Sequence, residues 1–267
     1  MGAVCLTAWL SGNTIHRANC ERSSGGVILT THIETVAVTA STNADLKERV
    51  LSGNVEEGHW LRAERQSGGI GRLGRKWESP EGNLYCSTVV KTDDGDPSPS
   101  SLSFVASLAV HEAMKKCVPN GQLLLKWPND VLLNDAKVCG ILLEQVGDSV
   151  VVGMGINVAV APQVEGKVTI SLHEAGAMTA LTAADFLNLL CDSFAKRLQQ
   201  WRSKGAQSIL SDWQEFAHQI GASLSASIDK DTRIQGEFAG LTNSGALRLK
   251  KPDGSLVEIH AGDVESS

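Results

Sequence analysis

Apolar and polar positions alternate along the chain in a way that separates its elements. Val36-Ala37-Val38 is a short apolar strand signal, followed by Ser41-Thr42-Asn43. Thr42 and Asp45 stand at capping-box spacing, so a helix is expected from there to about Leu51. His59–Glu64 reads as a strand, Ser67–Gly74 as a loop with four glycines in eight residues, and Asn83–Val90 as another strand. Pro97–Cys117 opens on Pro and Ser and then carries Leu102, Val105, Leu108, Ala109 and Ala113 at helical spacing. Apolar runs follow at Leu123–Lys126, Val131–Leu133, Val138–Val146 and Val150–Val158, with Asn134-Asp135 and Gly147-Asp148 as turns. That spacing predicts a meander of hairpins, not a βαβ series. Ala183–Trp201 and Ala206–Ala217 read as amphipathic helices. From about Ile220 the texture changes to short strands at Ser223–Ile228, Ile234–Gly240, Ala246–Lys250 and Leu256–His260.

Long helices beside a mostly antiparallel sheet predict an α+β fold with a mixed or antiparallel sheet and flanking helices. The C-terminal strands suit a small SH3-like β-barrel packed on it. The division expected is a poorly structured extension over 1–32, a main domain over 33–218 and the barrel over 219–267. Ala3–Leu10 is apolar, but no positive segment precedes it and no small-x-small site follows, which argues against a signal peptide. Leu6 stands where a myristoylation signal wants Ser or Thr.

Composition narrows the function classes. With 24 Lys+Arg against 30 Asp+Glu the net charge is −6, which gives no global attraction to nucleic acid or anionic membranes. No apolar run approaches the roughly 18–20 residues that a membrane helix needs. Cys5, Cys20, Cys86, Cys117, Cys139 and Cys191 form no CxxC pair and the histidines form no HExxH. The cysteines therefore read as small buried side chains in a reducing cytoplasm, and no metal ligands are assigned to protein side chains.

Charge becomes informative locally. Arg62, Arg65, Arg72, Arg75 and Lys76 place five cations around the glycine loop against one acid, Glu64. Gly69-Ile70-Gly71-Arg72-Leu73-Gly74 matches GxGxxG, but no long helix can follow, because Pro80 and Gly82 come soon after. That argues against a dinucleotide fold. The kinase HRD and DFG motifs and the P-loop pattern are absent as well. A glycine loop that lets backbone N–H groups approach an anion, with arginines to hold it, is the remaining chemistry.

The longer string Ala63-Glu64-Arg65-Gln66-Ser67-Gly68-Gly69-Ile70-Gly71-Arg72-Leu73-Gly74-Arg75-Lys76-Trp77 resembles the biotin protein ligase signature GRGRxGRxW. Further blocks of that family follow in order: Ser79-Pro80-Glu81-Gly82-Asn83-Leu84-Tyr85, Lys126-Trp127-Pro128-Asn129-Asp130, Lys137-Val138-Cys139-Gly140-Ile141-Leu142-Leu143-Glu144 and Gly153-Met154-Gly155-Ile156-Asn157. Upstream, Ser41-Thr42-Asn43 also fits, and the resemblance extends over roughly residues 35 to 267.

The resemblance implies a class II synthetase-like catalytic domain and a two-step reaction. Biotin and Mg·ATP give biotinyl-5′-AMP, and the biotinyl group then passes to a lysine of a biotin carboxyl carrier protein. It also implies site residues. Lys137 would lie on the biotin carboxylate and the adenylate phosphate, and Arg72 would hold the adenylate, which makes these two the catalytic pair. Ser41, Thr42, Asn43, Gln66, Ile70, Gly71, Gly140, Gly153 and Gly155 would line the biotin site, where a ureido ring offers both donors and an acceptor. Arg75, Trp77, Asn129, Asp130 and Asn157 would face ATP, with Trp77 over the adenine, Asp130 near magnesium and Trp127 mainly structural. Backbone N–H groups of residues 69–72 would fold over biotin and phosphate. Ile70 departs from the family, which usually has Arg there, so a somewhat weaker hold on the adenylate is expected. Partners expected are the carrier domain and small molecules, without nucleic acid or membrane, in a monomer or homodimer. A lipoate or octanoate ligase or transferase of the same fold is the alternative. A biotin-responsive repressor would need a DNA-binding module that the first 30 or so residues are too short to supply.

Overall fold

The computed structural model describes the backbone of residues 18–20 and all of residues 31–229 and 232–266. Its larger sheet contains β1 (Ala18–Cys20), β2 (Thr31–Thr39), β3 (His59–Gln66), β4 (Leu84–Lys91), β5 (Leu123–Lys126), β6 (Asp130–Leu133), β7 (Ala136–Val146) and β8 (Ser149–Ile156). The spatial order is β1-β2-β3-β4-β8-β7-β6-β5. Helices α1 (Thr42–Leu51), α2 (Leu102–Cys117) and α3 (Ala183–Glu215) flank it. β9 (Ser223–Ser227), β10 (Arg233–Leu241), β11 (Leu247–Lys250), β12 (Leu256–Ile259) and β13 (Asp263–Ser266) form a second, fully antiparallel sheet in the order β12-β11-β10-β9-β13.

The hairpin meander is present from β5 to β8, where every pairing is antiparallel. The first pair makes the sheet mixed, within the mixed or antiparallel sheet expected. β2 and β3 run parallel with α1 as the crossover, a βαβ unit. β2 is also longer than its apolar triplet. It begins at Thr31, and Ala18–Cys20 pair with Thr31–Ile33, so the sheet reaches into the 1–32 stretch read as poorly structured. The rest of that stretch lies outside the described residues.

Faces follow from the pleat. Leu61, Val89 and Val151 share one face and bury Leu46 of α1 against them. The opposite face carries Trp60, Cys86, Val90, Val152 and Met154 under α2 and α3. α3 starts with a reciprocal capping box between Thr182 and Asp185 and breaks at Gly205, whose φ of 77° is left-handed. The two helices expected there are thus two runs that meet at one glycine. Their buried tryptophans are polar-satisfied: Trp201 donates to Ser101 at 2.7 Å and Trp213 donates to Ser107 at 3.0 Å.

The small sheet is joined to this core rather than tethered to it. Leu224, Phe238, Leu247 and Val264 are buried in the same cluster as α2 and α3. Trp127, 3% exposed, donates its indole N–H to the Gly245 carbonyl at 3.0 Å, and Leu241 N–H donates to the Gln214 side chain at 2.9 Å. This fixes β13 over the face where the motifs converge.

Candidate active site

One cavity of about 650 Å³ opens between α1, the β3–β4 loop, the ends of β6, β7 and β8, the 162–169 loop and β13. It is lined by every residue assigned above to the biotin and ATP sites, from Ser41 to Asn157.

Its inner wall is neutral and closely bonded. α1 is capped by Ser41, one residue earlier than expected, with Ala44 N–H donating to the Ser41 hydroxyl at 3.4 Å. Thr42 is thereby released from the cap. Its N–H donates to Gln66 Oε1 at 2.9 Å, and its hydroxyl lies 2.7 Å from that of Ser87. Ser87 donates to Asn43 Oδ1 at 2.6 Å, so its lone pairs are left for Thr42. Asn43 Nδ2 donates to Glu144 at 2.9 Å, and Lys47 holds Glu144 from outside at 2.6 Å. Gly153 is what admits this chain: a Cβ there would stand 2.1 Å from Asn43 Oδ1.

Trp77, expected over an adenine, is half-buried in the cavity lining. It lies against the glycines of β7 and β8, where a Cβ on Gly155 would come 2.5 Å from the indole and one on Gly140 2.8 Å from it. Gly140 and Gly155 thus make room for an aromatic ring in the floor. Trp77 Nε1 is buried with no hydrogen-bond partner, and the Lys137 ammonium sits 5.4 Å from the ring centroid.

The outer wall is ionic. Lys137 donates to Asp130 at 2.6 Å, both side chains being 18% exposed. The glycine loop folds as a hairpin: Trp77 N–H donates to Gly69 O at 2.9 Å and Gly71 N–H to Arg75 O at 2.7 Å. The Gly71 N–H is therefore engaged within the loop and does not face the cavity as a free donor. Arg72 donates to Asn129 Oδ1 at 3.2 Å and Gly262 O at 3.1 Å and lies 3.4 Å from Asp263. Arg75 pairs with the other oxygen of Asp263. Burial raises the Asp263 pKa, but the Arg75 hydrogen bond and the Arg75 and Arg72 charges outweigh it and hold the carboxyl below its ordinary value. Asn129 also donates to Ile141 O at 2.7 Å, so both ends of its amide are engaged. Asn157 donates to Ile170 O at 3.2 Å, while its Oδ1 is buried and unpartnered. Ile70 is 56% exposed at the rim.

Sequence reasoning missed Ser87, Lys167 and Asp263. Ser87 had a signal, a lone small hydroxyl within the apolar run Leu84–Val90. Asp263 had none, because its role depends on how β13 lies across the loop.

A mixed sheet with a capped crossover helix, an arginine–glycine hairpin and a closing β domain defines a class of acyl-activating ligase. The model of the biotin/lipoate A/B protein ligase family matches residues 35–160, and that of the biotin protein ligase C-terminal domain matches residues 228–266. A biotin–[acetyl-CoA-carboxylase] ligase of Paracoccus denitrificans is 37% identical over 239 residues, spanning 86% of this chain and 98% of the relative. The bifunctional ligase/repressor BirA of Escherichia coli K12 is 32% identical over 87% of this chain and 73% of its own length. The structure of the Aquifex aeolicus biotin protein ligase in complex with biotin and ATP superposes with a TM-score of 0.76 at 28% identity, over 88% of this chain and 99% of that one. The chain belongs to the biotin protein ligase family.

Proposed function

We propose that this chain is the ligase that activates biotin with Mg·ATP and passes it to a lysine of a biotin carboxyl carrier domain. The observation that carries the reading is the split character of a single cavity. A neutral, hydrogen-bonding end suits a ureido ring, and it runs directly into an ionic end whose arginines and lysines, held on protein carboxylates, can be taken over by a carboxylate and a nucleotide.

In the first step a biotin carboxylate oxygen attacks the α-phosphorus, a new P–O bond forms, and the bond to pyrophosphate breaks. Two anions must meet, so Lys137 and Arg72 neutralise both and hold them in line. In the second step the neutral amine of the acceptor lysine attacks the biotinyl carbonyl. The amide forms, AMP leaves with the electron pair of the broken C–O bond, and the amine proton goes to solvent. Thr42, Asn43 and Gln66 orient the ring, and the unpartnered Trp77 Nε1 and Asn157 Oδ1 are a donor and an acceptor left for substrate. Among the described residues no three His, Cys, Asp or Glu side chains converge to hold a metal, so magnesium is taken to enter as part of Mg·ATP, with Asp130 the carboxylate nearest Lys137.

We assign 33–218 to the catalytic unit and 219–267 to the closing module, acting in the cytoplasm as a monomer or homodimer without nucleic acid. No helix among the described residues is long and apolar enough to cross a membrane. Lipoate and octanoate remain the competing substrates, and the match of the C-terminal module to biotin protein ligases favours biotin. ATP–pyrophosphate exchange run in parallel with biotin, lipoate and octanoate decides: exchange with biotin alone is expected, and exchange with lipoate instead overturns the reading. Arg72→Gly is expected to leak biotinyl-AMP and label bystander lysines. Labelling confined to the carrier would remove Arg72 from the clamp.

A further inference from the structure

Six cations line the cavity: Arg72, Arg75, Lys76, Lys126, Lys137 and Lys167. Four are neutralised within the protein. Arg72 and Arg75 share Asp263, Lys76 pairs with Glu78 at 2.8 Å, and Lys137 pairs with Asp130. Lys126 stands on β5, where its charge acts on His218. Lys167 has no ion pair among the described residues.

The position of Lys167 is fixed by backbone. Lys137 N–H donates to Val168 O at 2.9 Å and Ile170 N–H donates to Lys137 O at 3.1 Å, so the segment after Lys167 is bonded alongside β7. Lys167 N–H closes a turn onto Val164 O at 3.1 Å, across Gly166 with φ 70°. Lys167 thus stands on an exposed loop at the cavity, close enough to Lys137, Arg75, Asp130 and Asp263 for their charges to act on it. Burial and then the Lys137 charge, with Arg75 adding to them against Asp130 and Asp263, push its pKa down. Lys167 is the cavity cation near Lys137 and Arg75 that has no carboxylate partner of its own among the described residues, and a polyanion placed there supplies one.

We propose that Lys167 is a phosphate-binding residue, taking the β- and γ-phosphates of ATP and then the pyrophosphate leaving group. The inference rests on the ligase reading for the identity of the nucleotide. Lys137 is only 18% exposed, which suits the inward role that the ligase reading gives it beside the carboxylate and α-phosphate. Lys167 is exposed, on the solvent side of the cavity lining, where the most highly charged fragment can be met as it leaves. A lysine suits that place, because a mobile point charge follows a leaving group that a rigid fork would not.

The test uses Lys167→Gln in the full chain. The KM for ATP and that for pyrophosphate in the exchange reaction are expected to rise about tenfold, as for loss of one charge-assisted hydrogen bond. The KM for biotin and the affinity for biotinyl-AMP, which lacks the β- and γ-phosphates, are expected to stay within about twofold. Lys167→Arg should restore most of the pyrophosphate affinity. An unchanged KM for pyrophosphate, or an equal rise in the KM for biotin, overturns the proposal. Calorimetric binding of inorganic pyrophosphate to wild type and variant, without biotin, separates the two readings. If wild-type exchange fails with biotin, the ligase reading fails, while a weaker pyrophosphate isotherm in the variant still supports Lys167 and an identical one still rejects it.

Discussion

The two walls of the cavity are held by different physics. The inner wall from Thr42 through Ser87 to Asn43 is a buried line of neutral hydrogen bonds of 2.6–2.7 Å, tied at its end to the Glu144–Lys47 pair. The outer wall is ionic: Arg72 and Arg75 share Asp263 in reach of water, while Lys137 and Asp130 pair deeper, each 18% exposed. A buried neutral network loses much when one member goes, because the partner is left unsatisfied. Exposed ion pairs contribute little to stability and are screened by salt. The inner wall is therefore built before any ligand arrives, whereas the outer wall holds its cations on protein carboxylates that a ligand anion can replace.

The largest expected effect falls where the walls meet. Lys137→Ala removes the cation between carboxylate and phosphate, and biotin-dependent ATP–pyrophosphate exchange should fall about 10²–10³-fold, the scale for losing one transition-state donor. Some stability should be lost as well, because the largely buried Asp130 is left unpaired, so the variant is checked for folding before exchange is read. Exchange at the normal rate would sink the assignment of Lys137.

Gly153→Ala attacks the inner wall alone. The added Cβ would stand 2.1 Å from Asn43 Oδ1, which is already bonded to Ser87. A destabilisation of about 1–3 kcal/mol, the cost of overpacking, is expected in urea denaturation, together with a raised KM for biotin. The clash itself is between a methyl group and a neutral amide, so most of the loss should persist from low to high salt. A loss that disappears in high salt would break the distinction between the walls.

How much of this was readable beforehand depends on how local each cause is. Strands β4 to β8 and the helices follow from runs and turns within a few residues, and they stand close to where the pattern predicts. The full length of β2 was hidden because the strand is mostly half-buried, Thr31 to Val36 giving no alternation that marks it. Thr42 and Ser41 were confused as caps because both are good N-cap residues and only backbone geometry separates them; Ser41 has the extended φ of −161°. The motif residues converge as the blocks suggested, yet the packing reason for Gly140 and Gly155 is the ring of Trp77, more than 60 residues away in sequence. Asp263 is harder still, since it acts through a loop nearly 190 residues earlier. Nonlocal partners leave no period and no spacing to read.

The outer wall is tested by Asp263→Asn, which keeps the shape and removes the charge that Arg72 and Arg75 share. Stability should change by no more than about 1 kcal/mol, because the carboxylate is 37% exposed and solvent screens it. Cleavage by trypsin after Arg72 and Arg75 should speed up several-fold in the absence of substrates, and biotin with ATP should restore protection. Equal cleavage rates in both proteins would mean that β13 does not hold the loop.

The smallest effect is the most specific to the mechanism. The Asp263 carboxyl titrates below its ordinary value in the folded protein. A depressed carboxyl contributes stability that is fully present above its unfolded pKa and is lost as pH falls through the folded one, because only then does the folded state take up the same proton. The difference in unfolding free energy between wild type and Asp263→Asn should accordingly be constant from neutral pH down to the ordinary aspartate range and close on further acidification. High salt should shrink that difference at neutral pH by screening the arginines, while leaving the Gly153→Ala penalty in place. A difference that instead grew as pH fell would place the Asp263 charge as a liability in the fold, and the loop would need another anchor.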